Sequence, residues 1–289
     1  MKRTFLHLLL YIIPFISANG ITLDEIKFYN EASDTTKITE ILKETYAQDL
    51  NTPNQRISFI AKKFLGLPYV AHTLEGDSEM LTVNIDQLDC TTFVETVIAM
   101  AYTVGEGRTS WRDYVRNLEQ IRYRDGNLDG YTSRLHYISD WITDNQYRGN
   151  VSEVSGEIPD ASHKIKTIDF MTSHRKSYKA LADSVEFEKM KRIEIGYHNH
   201  RFPYIKTSSL RNKSVRKHLR EGDIIALCTN TKGLDVSHMG LITIVDGVPH
   251  LMHASMKEMK VIIDPKPLYE YMMKNRGLTG IRVIRLNQN

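Results

Sequence analysis

The sequence predicts an α+β fold, and two observations carry that prediction. As far as about residue 220, apolar residues recur three and four apart in segments broken by Gly, Pro and Asn, which is the spacing of one helix face. From Glu221 the pattern changes to short apolar runs divided by turns, of which Asp246-Gly247 is a strong hairpin signal. Helices should therefore lead, and a mostly antiparallel sheet should follow.

The first 20 residues read as a signal peptide. Lys2 and Arg3 precede an apolar run from Phe5 to Ile16, and the small residues Ser17, Ala18 and Gly20 follow. That run is too short, and too soon interrupted by Pro14, to span a bilayer, and no later stretch is apolar enough. The mature chain is thus expected to carry no integral membrane segment and to be exported, to the periplasm or beyond. Its 38 basic and 35 acidic residues leave a net charge of +3 with no basic block, so nucleic acid is not an expected partner. At 289 residues the chain has room for one large domain, and 21–289 is read as one.

In order, Ile38, Ile41, Leu42 and Tyr46 share a face of a first helix. Asn51-Thr52-Pro53 breaks the chain, and Ile57, Ile60, Ala61, Phe64 and Leu65 mark a second helix ended by Gly66. Leu81, Val83 and Ile85 alternate as one strand. Asp89 caps a third helix to about Val104, with Phe93, Val94, Val97, Ile98 and Ala101 as one buried stripe. Ser110 or Thr109 starts a fourth, with Trp111, Tyr114, Val115, Leu118 and Ile121 on one face. Turns at 124–130 lead to 131–137, dense in groups that bind polar ligands, and into a short helix. Residues 150–166 are weakly periodic, and 170–192 read as one helix. His198-Asn199-His200 reads as a surface loop, because no third metal ligand stands at a suitable spacing. A last short helix at 207–219 precedes strands at 224–227, 236–245, 249–255, 261–263 and 280–286.

The chemistry points to Cys90. A thiol in the first turn of a helix lies against unpaired backbone N–H groups and the positive end of the dipole, which favour the thiolate and can cradle an oxyanion. The same placement suits a small buried residue. Two cysteines in an exported chain also invite a disulfide, but Cys228 stands in an apolar run and reads as a buried structural thiol. Cysteine hydrolysis further needs a base and a group that orients it. His238 stands beside Gly240 on one strand of the predicted hairpin and His253 on the other, and paired strands bring side chains into contact.

The motifs resemble those of the NlpC/P60 cell-wall hydrolases. Their order is a helix-tip D-C, a G-D before a strand, a strand H-x-G and a strand ending H-A-S. This chain has Asp89-Cys90, Gly222-Asp223, His238-Met239-Gly240 and His253-Ala254-Ser255, and Leu65-Gly66-Leu67-Pro68-Tyr69 is similar to the family's L-G-x-P-Y segment. Two departures, Val70-Ala71 where that family has G-G and a long insertion at about 103–220, look like the DUF1460 branch, as does Ser133-Arg134-Leu135-His136-Tyr137.

The resemblance implies a papain-like core in which N-terminal helices pack on an antiparallel sheet and the insertion folds over the cleft. It implies Cys90 as nucleophile, His238 as base and His253 as its orienting partner. His250, three residues away, would face the other side of the strand. Tyr69 and Asp89 would line the rim and oxyanion side. Ser133, Arg134 and His136 are the candidate substrate-binding residues, Arg134 for a peptide carboxylate and His136 for a sugar or amide oxygen. The implied activity is cleavage between N-acetylmuramic acid and L-alanine in peptidoglycan or muropeptides, with no metal or other cofactor. Two alternatives remain: a γ-D-glutamyl endopeptidase on the same core, and a muropeptide-binding module without catalysis.

Overall fold

The computed structural model describes residues 21–288, so the signal peptide read at 1–20 lies outside the described residues. A short strand β1 (Ile26–Phe28) opens the chain and pairs in parallel with β2 (Leu81–Val83). Between them lie α1 (Glu31–Tyr46) and α2 (Pro53–Lys62). Asn30 caps α1 by accepting from the Ser33 N–H at 3.2 Å. Thr52 and Gln55 form a reciprocal capping box on α2, with Pro53 at its first position, where a missing N–H costs nothing.

Helix α3 (Cys90–Gly105) is the centre of the molecule. The predicted single stripe understates its burial: Thr92 through Ala101 are all buried, and Phe93, Val94, Val97 and Ile98 are fully so. A helix with apolar residues nearly all round must be covered on every side. Here α1, α2 and α4 (Trp111–Arg122, capped by Ser110) cover one part, and the sheet covers the rest. Helix α5 (Ile138–Tyr147) closes this core with Trp141.

The main sheet is antiparallel throughout. Its strands are β3 (Val151–Glu153), β4 (Ala161–Lys166), β5 (His200–Lys206), β6 (Ile224–Thr229), β7 (Val236–Val245), β8 (Val248–Ser255), β9 (Lys260–Pro267) and β10 (Leu278–Leu286). They lie in the order β4-β5-β10-β6-β7-β8-β9, with β3 also on β10. Asp246 and Gly247, with φ of 49° and 78°, make the β7–β8 turn as expected.

Several elements differ from the sequence reading. Residues 170–192 are not one helix: α6 (Phe170–Ser173) and two 3₁₀ turns precede α7 (Ser184–Gly196), because Asp183 accepts from the Val185 and Glu186 N–H groups and starts a new helix. His200 begins β5 rather than ending a loop, with its ring against Tyr197 and Phe202. The short α8 (Lys213–Arg216) falls where a last helix was expected. Helix α9 (Leu268–Lys274), between β9 and β10, has no counterpart in the reading. The inserted segment supplies β3, β4 and β5 to the main sheet and carries a small apolar cluster around Tyr137, Met171 and Leu181.

Candidate active site

Cys90 occupies the first position of α3 and is half-buried. Asp89 is the cap, accepting from the Thr91 and Thr92 N–H groups at 3.0 and 2.8 Å, while Thr92 Oγ1 accepts from the Asp89 N–H at 2.9 Å. That arrangement corrects the sequence reading of this helix tip in two ways. The Thr91 and Thr92 amides are already taken by the Asp89 carboxylate, so they are not free to hold an oxyanion. The thiol is also not depressed. Burial, and then the neighbouring Asp89 charge, push it up to about 11, against smaller opposing help from the Met239 N–H, the Thr91 hydroxyl and its own N–H.

The Met239 amide brings β7 to the sulfur, and His238 is the residue before it. His238 Nε2 and His253 Nδ1 share a hydrogen bond of 2.6 Å, with the rings edge to face at 86°. Burial lowers both: His238 to about 4, and His253 to about 3 with His238 as a second cause. Both imidazoles are therefore neutral at neutral pH, and one proton lies in the bond between them. His253 Nε2 is buried with no partner among the described residues. His250 faces the other side of β8 and bonds the Asp264 carbonyl at 2.9 Å. Gly240 is required by this packing: a β-carbon there would meet the Met252 carbonyl at 2.7 Å and His253 Cβ at 3.1 Å.

Tyr69 lies beside the helix tip. Its backbone bridges in parallel to Leu88, and burial, then the charges of Cys90 and Asp89, raise its phenol. Across the site stands Tyr271 of α9, which no sequence pattern singled out. Its ring meets His253 edge-on at 5.5 Å, and burial, Asp264 and Cys90 push its phenol up to about 12. Cys228 is a free, buried thiol in β6, as expected of a structural one.

Below the tip, Glu95 and Arg122 form an ion pair at 2.7 Å with both side chains almost fully buried, and Arg122 also donates to the Thr82 carbonyl. A lone Glu in an apolar helix was the available signal for it.

Ser133, Arg134 and His136 are engaged with their own surroundings. The buried Arg134 guanidinium pairs with Glu75 at 2.8 Å and Glu79 at 3.2 Å. His136 bonds the Tyr131 carbonyl at 2.8 Å, and burial holds its ring well below the usual imidazole range. Ser133 donates to the Gly130 carbonyl and accepts from the Asp129 N–H. A cavity of about 790 Å³ adjoins the histidines, and its walls come from β6 to α9 and the loop beyond, not from the inserted segment. The reason is topological: β4 and β5 extend the sheet across β10, at the opposite end from β8 and β9.

A family model described as N-acetylmuramoyl-L-alanine amidase-like matches residues 59–281. A solved N-acetylmuramoyl-L-alanine amidase from Bacteroides uniformis is 41% identical, covering 81% of this chain and 99% of its own, with a TM-score of 0.76. A Bacteroides fragilis protein assigned as a candidate xylanase is also 41% identical, over 78% and 99% of the two chains, with a TM-score of 0.73. A Legionella pneumophila protein of the DUF1460 family shares the fold at 22% identity, 89% and 97% coverage and a TM-score of 0.67. No curated protein matches the chain. With more than half of its length matched by one family model and about two-fifths identity to a solved amidase over most of both chains, the chain belongs to the N-acetylmuramoyl-L-alanine amidase-like family.

Proposed function

We propose that the chain is a cysteine amidase that cleaves the bond between N-acetylmuramic acid and L-alanine in peptidoglycan fragments. The observation that carries this is the grouping of Cys90, the Met239 amide and the bonded pair His238–His253 on two facing elements. Family membership supports the amide bond as target. An NlpC/P60-type assignment rests on the motifs around Cys90, His238 and His253. The candidate xylanase suggests a different chemistry, but glycoside hydrolysis uses paired carboxylates, whereas this grouping supplies a nucleophile and a base.

In this reading the Cys90 thiol gives its proton to His238 as the sulfur attacks the lactyl carbonyl. Resting thiol and resting imidazole are both neutral, so transfer and attack proceed together. The C–N bond then breaks, His238 protonates the departing L-alanyl amine, and a thioester remains on Cys90. Water, deprotonated by His238, cleaves the thioester and releases the sugar acid. His253 holds the His238 ring and shares its charge. The Cys90 N–H is the helix-tip donor left for the oxyanion, with the Tyr69 phenol as the candidate second donor. Residues 21–289 act as one domain behind a leader at 1–20, and the leader directs export to the periplasm.

Incubation with defined muropeptides tests this. The expected products are N-acetylmuramic acid and a free L-alanyl peptide. Release of a peptide lacking L-Ala-D-Glu would instead indicate the γ-D-glutamyl endopeptidase. Tight binding by Cys90→Ala, with no product from wild type, would establish the binding module.

A further inference from the structure

We propose that the far end of the histidine cavity is a carboxylate-binding subsite, built from Lys266, Lys274 and Arg276, that takes the anionic stem peptide of the substrate. The inference rests on the amidase reading and adds to it which side of Cys90 receives the peptide.

The cavity runs from His238 and His253 past Tyr271 to the end of β9 and the last turn of α9. Its walls carry four cationic side chains and two carboxylates. Lys257 pairs with Glu258 at 3.0 Å. Among the described residues, no carboxylate lies within ion-pair distance of Lys266, Lys274 or Arg276. These three come from different elements: Lys266 from β9, Lys274 from α9 and Arg276 from the following loop. A basic residue in a final helical turn favours the dipole, which explains Lys274 alone. It does not explain why Lys266 and Arg276, from two other segments, line the same end of the cavity. Like charges repel, and the neighbouring Lys274 disfavours the charged form of Lys266. An anion between them removes that repulsion. Arg276 adds a planar fork suited to a carboxylate.

The chemistry of the substrate then fixes its direction. Once the lactyl carboxyl is tied up in the scissile amide, the sugar side carries no carboxylate. The stem peptide carries several. A cationic end to the cavity therefore marks the side of the departing amine, with the peptide running toward α9 and the sugar on the Tyr69 side of Cys90.

The test uses full-length Cys90→Ala protein, so that binding is read without turnover. Calorimetry compares an N-acetylmuramoyl tripeptide with the same molecule bearing carboxamides for carboxylates. The carboxylate form should bind about tenfold or more tightly, and added salt should erode the difference. The triple variant Lys266→Gln, Lys274→Gln, Arg276→Gln should remove most of that preference, whereas Lys43→Gln on the exposed face of α1 should keep it. Equal affinity for the two ligands, no binding of either, or a preference that survives the triple variant would overturn the subsite. Turnover by wild type is measured in parallel. Cleavage without charge preference would sink the subsite and leave the amidase. A charge preference without cleavage would do the reverse.

Discussion

Gly240 and His253 face each other across β7 and β8 so closely that a side chain on the first would displace the second: a β-carbon at Gly240 would come within 3.1 Å of His253 Cβ. The glycine of the His-x-Gly pattern thus seats the partner of His238. Gly240→Ala should cost about 1–3 kcal/mol of stability through overpacking. It should also lower kcat well beyond what the stability loss explains, because the 2.6 Å bond between the histidines is disturbed. Thermal melting and kcat on one muropeptide check both, and unchanged kcat would show that the glycine serves only the strand.

The neutral resting state of the site sets its pH behaviour. His238 takes a proton only toward about pH 4, and Cys90 loses one only toward about 11. The form with neutral imidazole and protonated thiol therefore dominates between those values, and kcat/KM should be level through neutrality and fall on the acid side near 4. An alkaline limb just above neutrality would indicate a resting thiolate–imidazolium pair instead.

In the proposed mechanism His253 acts through His238, to which it is hydrogen-bonded, rather than on the substrate. His253→Ala should reduce kcat roughly 10²- to 10⁴-fold with little change in KM. His253→Asn, which can still bond the ring, should recover part of it. Cys90→Ala should abolish turnover altogether. Steady-state kinetics of the three variants separate these roles, and full activity in His253→Ala would remove it from the mechanism.

The Glu95–Arg122 pair lies in the core one turn into α3, the helix that Cys90 begins. Truncating Glu95 leaves a buried, uncompensated guanidinium, so Glu95→Ala should cost about 3–5 kcal/mol. Denaturant titration reads this directly. A loss under 1 kcal/mol would mean that Arg122 finds another partner or water.

Arg134 has two carboxylate partners inside the protein, Glu75 and Glu79. Arg134→Gln should therefore lower the melting temperature, because it strands the Glu79 carboxylate among buried neighbours. A raised KM at unchanged melting temperature would return the guanidinium to the substrate.

The legible parts of the fold were those encoded locally. The β7–β8 hairpin was readable because Asp246-Gly247 and the flanking apolar runs agree, and with it came the pairing of His238 with His253. The position of Cys90 was readable from Asp89 as a cap. The state of Cys90 was not, because it depends on which amides Asp89 occupies and how deeply the sheet buries the sulfur, both tertiary facts. Tyr271 was hidden for a similar reason. Its helix has seven residues, too few for a periodic signal, and its ring gains meaning only once α9 folds back on β8. Arg134 stood in a polar stretch that looked ready for ligands, but Glu75 and Glu79, some sixty residues earlier in the chain, reach it first.

Helix α3 is enclosed by helices on one side and by the sheet on the other, and this has a bearing on how the molecule comes apart. Backbone amides from Phe93 to Ala101 can exchange with solvent only when those layers separate, so they should be the slowest to exchange in the chain. The Cys90 sulfur is mounted at the end of that segment. Fraying of termini or surface loops leaves it in register with β7, and it loses its alignment only when the whole core opens. Heat inactivation should then coincide with global unfolding as a single event, with no partly opened form in which Cys90 alone is displaced.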